Sequence, residues 1–147
     1  MKNFKKVLAL VLAIATILSF ATIASAATAD FKDAKDVTHT EAVDVLSAIG
    51  VLNGYKDGEY KPNRVITRAE AAKIIAMFDN GDTDIKELYA PVNFTDVKAG
   101  SYYAGYVAWA AEQDIVRGTS ETTFSPNAKV TREQMATMMY RCAKAQG

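Results

Sequence analysis

Two arginines, Arg68 and Arg132, stand 64 residues apart, and each follows a threonine at the head of an apolar-patterned segment. Thr67 with Glu70, and Thr131 with Gln134, have the spacing of a capping box. In that motif the threonine accepts from a first-turn amide and the acid or amide side chain reaches back. Each arginine therefore falls at the positive end of a helix dipole, where a cation is disfavoured by up to about 1 kcal/mol. A cation repeated at an unfavourable place points to a compensating partner. A helix N-terminus with free amides attracts anions, and an adjacent guanidinium adds bidentate recognition of a carboxylate. Two readings stand: each arginine holds an anionic ligand, or each pairs with an acid such as Asp33, Asp96 or Glu70 and ties elements together.

Aromatic rings would supply the other half of a sugar site, because a flat ring covers the apolar face of a pyranose while polar neighbours bond its hydroxyls. Tyr102, Tyr103, Tyr106 and Trp109 cluster in one segment, and Tyr55 lies in a Gly-rich loop. Tyr106 is expected in the core, whereas Trp109 fits either the core or a sugar face. Asp33 and Asp96 each follow a phenylalanine by two residues and suit either glycan hydroxyls or the arginines. Phe31 and Phe94 themselves read as core plugs.

Catalytic constellations fail one by one. His39 is the only histidine, so neither a histidine-based triad nor a multi-histidine metal site can be built. Two carboxylates would suffice for glycoside hydrolysis, but two short helical units offer no deep cleft and the acids read as caps and solvated faces. The run from Asp79 to Asp84 lacks the alternating acids, sixth glycine and terminal glutamate of a calcium loop, so a solvated turn is expected. No catalytic residue, metal or cofactor is anticipated.

The elements that position these residues come in two copies. Val65-Ile66-Thr67-Arg68-Ala69-Glu70 recurs as Lys129-Val130-Thr131-Arg132-Glu133-Gln134, Tyr60-Lys61-Pro62-Asn63 as Phe124-Ser125-Pro126-Asn127, and Gly54 as Gly118. Phe31-Lys32-Asp33 matches Phe94-Thr95-Asp96 with one residue of slack. Function must then lie in the unit or between units. In copy one, Thr38 and Glu41 predict a capping box, Ala42, Val45, Leu46 and Ile49 an apolar stripe, and Gly50 a stop. Copy two places Tyr106, Trp109 and Ala110 in the same stripe, with Asp114 at the stop, where aspartate tolerates left-handed geometry. In the second helix, Ala71, Ile74, Ile75 and Phe78 map onto Met135, Met138, Met139 and Cys142. This predicts that both helices turn the same face inward around a shared pseudo-symmetric core. Between the helices, residues 54–62 predict a tight hairpin-like loop, and residues 85–89 a helical turn in the connection.

The ends and composition narrow the class. Lys2, Lys5 and Lys6, an apolar run from Val7 to Ile23, and Ala24-Ser25-Ala26 have the layout of a secretory signal peptide. An uncleaved anchor is the competing reading, since the run approaches the ~20 residues of a spanning helix. Cleavage after residue 26 removes three of 17 Lys plus Arg and none of 17 Asp plus Glu, leaving a net charge of about −3 at neutral pH. A mildly acidic surface argues against nucleic acid and requires any anion to be held at local basic points. The single Cys142 forms no internal disulfide and is expected as a buried small hydrophobe. The layout is a signal peptide at 1–26 and repeats at 27–90 and 91–147.

The Phe-x-Asp opening, the Gly-Tyr-x-Asp-Gly-x-Tyr-x-Pro loop, Ile-Thr-Arg-Ala-Glu in copy one, and Phe-Ser-Pro-Asn with Val-Thr-Arg-Glu-Gln in copy two closely resemble the S-layer homology (SLH) family, from about Phe31 to the C-terminus. The resemblance implies a mainly α fold of helix-loop-helix prongs and a non-catalytic module of the bacterial envelope. It implies binding of an anionic, often pyruvylated, secondary cell-wall polysaccharide, with no membrane contact once the signal is cleaved. Family members usually carry three units and this chain shows two, so a further prong would come from another SLH-containing chain or binding would be partial. On this reading Arg68 and Arg132 hold the anionic group, Asp33 and Asp96 bond the glycan or the arginines, and Trp109 and Tyr55 cover sugar faces. Assembly with another chain is the alternative.

Overall fold

A computed structural model describes residues 28–80, 85 and 93–146. The expected signal segment, most of the acidic run after Asn80, and all of the expected turn after Ile85 lie outside these residues. The described residues are mainly helical: a 3₁₀ turn Ala34–Asp36, then α1 Thr40–Ala48, α2 Arg68–Asn80, α3 Ala104–Glu112 and α4 Arg132–Ala145. The chain forms two compact units that meet in sequence between Pro62 and Asn63.

Unit 1 holds the 3₁₀ turn, α1 and the loop after it, and buries Val37, Val43 and Val51. The predicted capping box does not form. Helix α1 starts at Thr40 with His39 as a cap that makes no side-chain bond. Nor does the predicted stripe face inward: Val45 is 37% exposed, while Val43 and Asp44 are buried. The buried Asp44 carboxylate explains the rotation, because it accepts from the Thr28 amide at 2.7 Å and from the Thr28 hydroxyl. Such charge-assisted bonds offset the desolvation of a carboxylate. Gly50, at φ +76, follows the helix as predicted. The expected hairpin-like loop is present. Tyr55 N–H donates to Glu59 O at 2.8 Å and Gly58 N–H to Tyr55 O at 2.9 Å, with Gly58 in the left-handed region at φ +83, the geometry of a short turn closed by a glycine.

In unit 2, helix α2 of the first copy packs against both α3 and α4 of the second. One core therefore contains Ala71, Ala72, Ile75, Tyr106, Val107, Trp109, Phe124, Met138 and Cys142. Helix α3 buries Gly105 to Ala110 without a break, as expected of a helix apolar all round. Asp114 takes φ +55 just beyond it, fulfilling the role that Gly50 has in copy one.

The second helices do not present matching faces. Ile75 is 5% exposed but its counterpart Met139 is 58%, and Phe78 is 68% exposed where Cys142 is 8%. Helix α2 has two neighbours and buries Ala69, Ala71, Ala72, Ile75 and Ala76 against them, whereas α4 buries Met138 and Cys142 alone. Both helices open with reciprocal caps. Thr67 Oγ1 accepts from the Glu70 amide at 3.2 Å and Glu70 Oε2 from the Thr67 amide at 2.7 Å, and Thr131 with Gln134 repeats the pair at 3.2 and 3.1 Å. Thr131→Ala is expected to cost about 1 kcal/mol, measured as a lower thermal midpoint by circular dichroism.

Candidate functional site

The paired motifs take their places from one local device, built twice. The Asp33 carboxylate accepts from the amides of Tyr60 (2.8 Å) and Lys61 (2.7 Å), and Asp96 accepts from Phe124 (2.8 Å) and Ser125 (2.7 Å). Lys61 and Ser125 both hold a left-handed backbone, at φ +61 and +59, a costly conformation for residues with a Cβ. The carboxylate fixes it. The phenylalanine two residues earlier stacks on the next ring, Phe31 on Tyr60 at 5.3 Å and Phe94 on Phe124 at 5.7 Å, and lies against Gly54 or Gly118. Both aspartates thus act first as backbone clamps.

The amides bound to Asp33 hold its carboxyl below the ordinary range against the upward pull of burial. Burial also pulls Asp96 upward, but its amide bonds and the Arg68 charge outweigh it and the net shift is downward. A carboxylate with a folded pKa below its unfolded value contributes stability that is present above the unfolded value and lost as pH falls through the folded one. The thermal midpoint is therefore expected to hold from neutrality toward the ordinary value of 3.8 and to drop below it. Asp96→Asn should flatten that acid arm in a melting series against pH.

Arg68 is buried at 6% exposure. Its Nε donates to the Phe124 carbonyl at 2.8 Å and a terminal nitrogen to the Arg117 carbonyl at 2.6 Å, and the guanidinium lies 4.6 Å from the centre of the Phe124 ring. Burial lowers its pKa while the Asp96 charge works the other way; the group stays charged. The amides that open α2 are also taken, Arg68 N–H by Ala128 O (2.9 Å) and Ala69 N–H by Pro126 O (3.0 Å). An anion site made of free α2 amides, as the sequence suggested, is ruled out by these bonds. Arg132 is exposed at the start of α4. Trp109 is 3% exposed, within the core of unit 2. Tyr55 is half-buried with the Lys61 ammonium 5.2 Å over its ring.

A groove of about 470 Å³ opens on unit 2. Its wall combines Arg68, Val116, Arg117 and Gly118 with Thr131, Glu133, Gln134, Thr137, Met138 and Arg141 of the α4 region. Three arginines and a single acid, Glu133, are among these lining residues. Arg117 forms a bidentate pair with Asp114, both bonds 2.9 Å, on an exposed rim where such a pair is held loosely. The hydroxyls of Thr131 and Thr137 and the amide of Gln134 add polar groups, while Val116 and Met138 add an apolar strip. This arrangement can take a carboxylate beside a hydroxylated ring. Of the glycan-binding residues anticipated from sequence, Arg68 alone lines this groove, together with the cap residues Thr131 and Gln134. Arg117 and Arg141 went unnoticed because neither lies in the repeated motif, and only the packing of α4 beside the 116–118 segment brings them together.

The sequence profile of the S-layer homology domain matches residues 30–72 and 93–136. The chain is 38% identical over 109 residues to a surface-layer 125 kDa protein of Lysinibacillus sphaericus, covering 73% of this chain and 9% of that one. It is 32% identical over 111 residues to an amylopullulanase of Thermoanaerobacterium thermosulfurigenes, covering 76% and 6%. A cellulosome-anchoring protein of Acetivibrio thermocellus is 34% identical over 90 residues, covering 61% and 20%. The chain thus spans a small fraction of each of these relatives, and what it shares with the amylopullulanase is the repeat portion. Two matched copies, each with its clamp, loop and capped helix, settle the classification: the chain belongs to the S-layer homology domain family.

Proposed function

We propose that this chain is an exported, non-catalytic anchoring module of the bacterial cell surface, whose unit 2 groove binds an anionic secondary cell-wall polysaccharide. The observation that carries this reading is the set of three arginines, Arg68, Arg117 and Arg141, around one groove on a chain with no excess of positive charge. Arg68, fixed by two carbonyls, supplies a preorganised cation at the wall. Arg117 and Arg141 complete a clamp for a carboxylate such as a ketal-linked pyruvate or a uronic acid. The shared module on relatives as different as a surface-layer protein and an amylopullulanase supports attachment rather than chemistry as its task.

The test is co-sedimentation with purified cell walls before and after chemical removal of the secondary polymer. Arg117→Ala with Arg141→Ala removes two charge-assisted contacts and is expected to weaken binding by about a hundredfold, at ~1.5 kcal/mol or more for each contact. Both residues sit at the groove rim, so the helix content should not change. Binding that survives either the stripping or the double substitution would sink the proposal.

A further inference from the structure

Four charged side chains gathered beside the unit 2 groove have no charged counterpart in copy one. At the offset of 64 that relates the copies, Asp114, Arg117, Arg141 and Lys144 stand where copy one has Gly50, Asn53, Met77 and Asn80. The fold that the copies share therefore needs none of these charges. Backbone geometry does not call for the acid either. Asp114 sits at φ +55 and Gly50 at φ +76, and glycine or asparagine enters that region at least as readily as aspartate.

The contacts of Asp114 explain its charge. Its two carboxylate oxygens accept from Nε and a terminal nitrogen of Arg117, both at 2.9 Å, the two-pronged geometry that a guanidinium offers any carboxylate. The Arg117 bonds hold the Asp114 carboxyl below its ordinary range against the pull of desolvation, and the charges of Arg117, Arg141 and Lys144 add to the lowering. The acid thus lies in the field of three cations. The side chains of Arg117 and Asp114 are 65% and 67% exposed, and a pair held in water opens at little cost. Arg117 also lines the groove. One edge of a groove guanidinium is therefore occupied by a carboxylate of the chain itself, loosely held among the cations that would hold a ligand's.

We infer that Asp114 is a built-in competitor for the ligand's acid group: the polymer's carboxylate binds Arg117 by exchange, displacing Asp114 from the Nε edge. Resting on the polymer reading above, the exchange narrows the ligand to a carboxylated sugar whose acid group takes the two-pronged seat that Asp114 now fills. Arg117 stays paired whether the groove is full or empty. The affinity is accordingly set below what the cations alone would give.

The test is the binding isotherm on purified cell walls that retain the secondary polymer, for wild type, Asp114→Asn and Asp114→Gly. Glu112→Gln is the control, removing the same charge from an exposed acid two residues away. Both Asp114 variants suit the left-handed backbone, and loss of an exposed pair leaves the thermal midpoint nearly where it was. Each is expected to bind about fivefold more tightly than wild type, the size of one released surface pair, and Glu112→Gln by less than about twofold, since an exposed charge at a distance is screened. The gain should vanish when Arg117→Ala is added to Asp114→Asn, because no edge is then left to free. Unchanged or weaker binding by both Asp114 variants overturns the exchange, as does a gain that Glu112→Gln matches or that survives Arg117→Ala. The polymer reading fails by a different result, wild type binding stripped walls as well as intact ones, and that result takes the exchange with it.

Discussion

Arg68→Ala is expected to lower the stability of unit 2 by about 3 kcal/mol, the loss of two charge-assisted bonds at a buried site. The guanidinium ties the Phe124 and Arg117 carbonyls to the head of α2, and its removal leaves both acceptors beside a space that alanine cannot fill. For a unit of this size the thermal midpoint should fall by on the order of 10 °C or more. Arg68→Lys keeps the charge but cannot bond both carbonyls in one plane, so it should land between alanine and wild type. If the alanine variant melts with wild type, Arg68 is a surface cation and its tie across the fold has no energetic weight. The same pair of variants separates structure from binding: a lysine variant that is folded but weak on cell walls assigns the fork itself to the polymer.

Gly118→Ala is the second large effect. A Cβ at this position overlaps the Ser120 carbonyl, sits 2.6 Å from the Thr123 carbonyl and 2.8 Å from the Phe94 ring. The two oxygens belong to backbone and cannot swing away, so the loop must open or the ring must leave. The cost expected is about 3 kcal/mol, in the range of overpacking that moves backbone. Gly100→Ala is the control. It has φ +79 but nothing within 4 Å, so only the left-handed penalty of about 1 kcal/mol applies. A differential-scanning comparison in which Gly118→Ala is the milder of the two would refute the packing account. Because Gly118 also lines the groove, the variant should lose wall binding even below its melting point.

These two residues show how far the sequence could be read. The recurrence of Gly54 at Gly118 and of Asp33 at Asp96 announced a repeated local need, and the need is local: room for a ring and a clamp on a left-handed residue. Caps at Thr67 and Thr131 were equally legible, since their partners lie three residues away. The stop at Asp114 followed from its alignment with Gly50. What periodicity could not disclose was the number of neighbours each helix has. The stripe on α2 and that on α4 look alike, yet α2 is enclosed from two sides and α4 is not, so Ile75 and Met139 part company. Arg68 and Arg132 are indistinguishable by motif for the same reason. One is a buried tie and the other is exposed, and the difference lies in residues 49 to 60 positions away. The misplaced face of α1 has another cause. Asp44 reads as a solvated acid, and only its bonds to Thr28 turn it inward.

The meeting of the two units between Pro62 and Asn63 carries an evolutionary meaning. The stretch duplicated in the sequence and the stretch that closes a core are out of phase by half a repeat. A duplication of one sequence copy therefore inserts a helix together with the half that covers the helix before it, and every internal junction is inherited complete. Lengthening or shortening such a protein by whole copies requires no new interface to be invented. Selection can tune copy number by recombination alone.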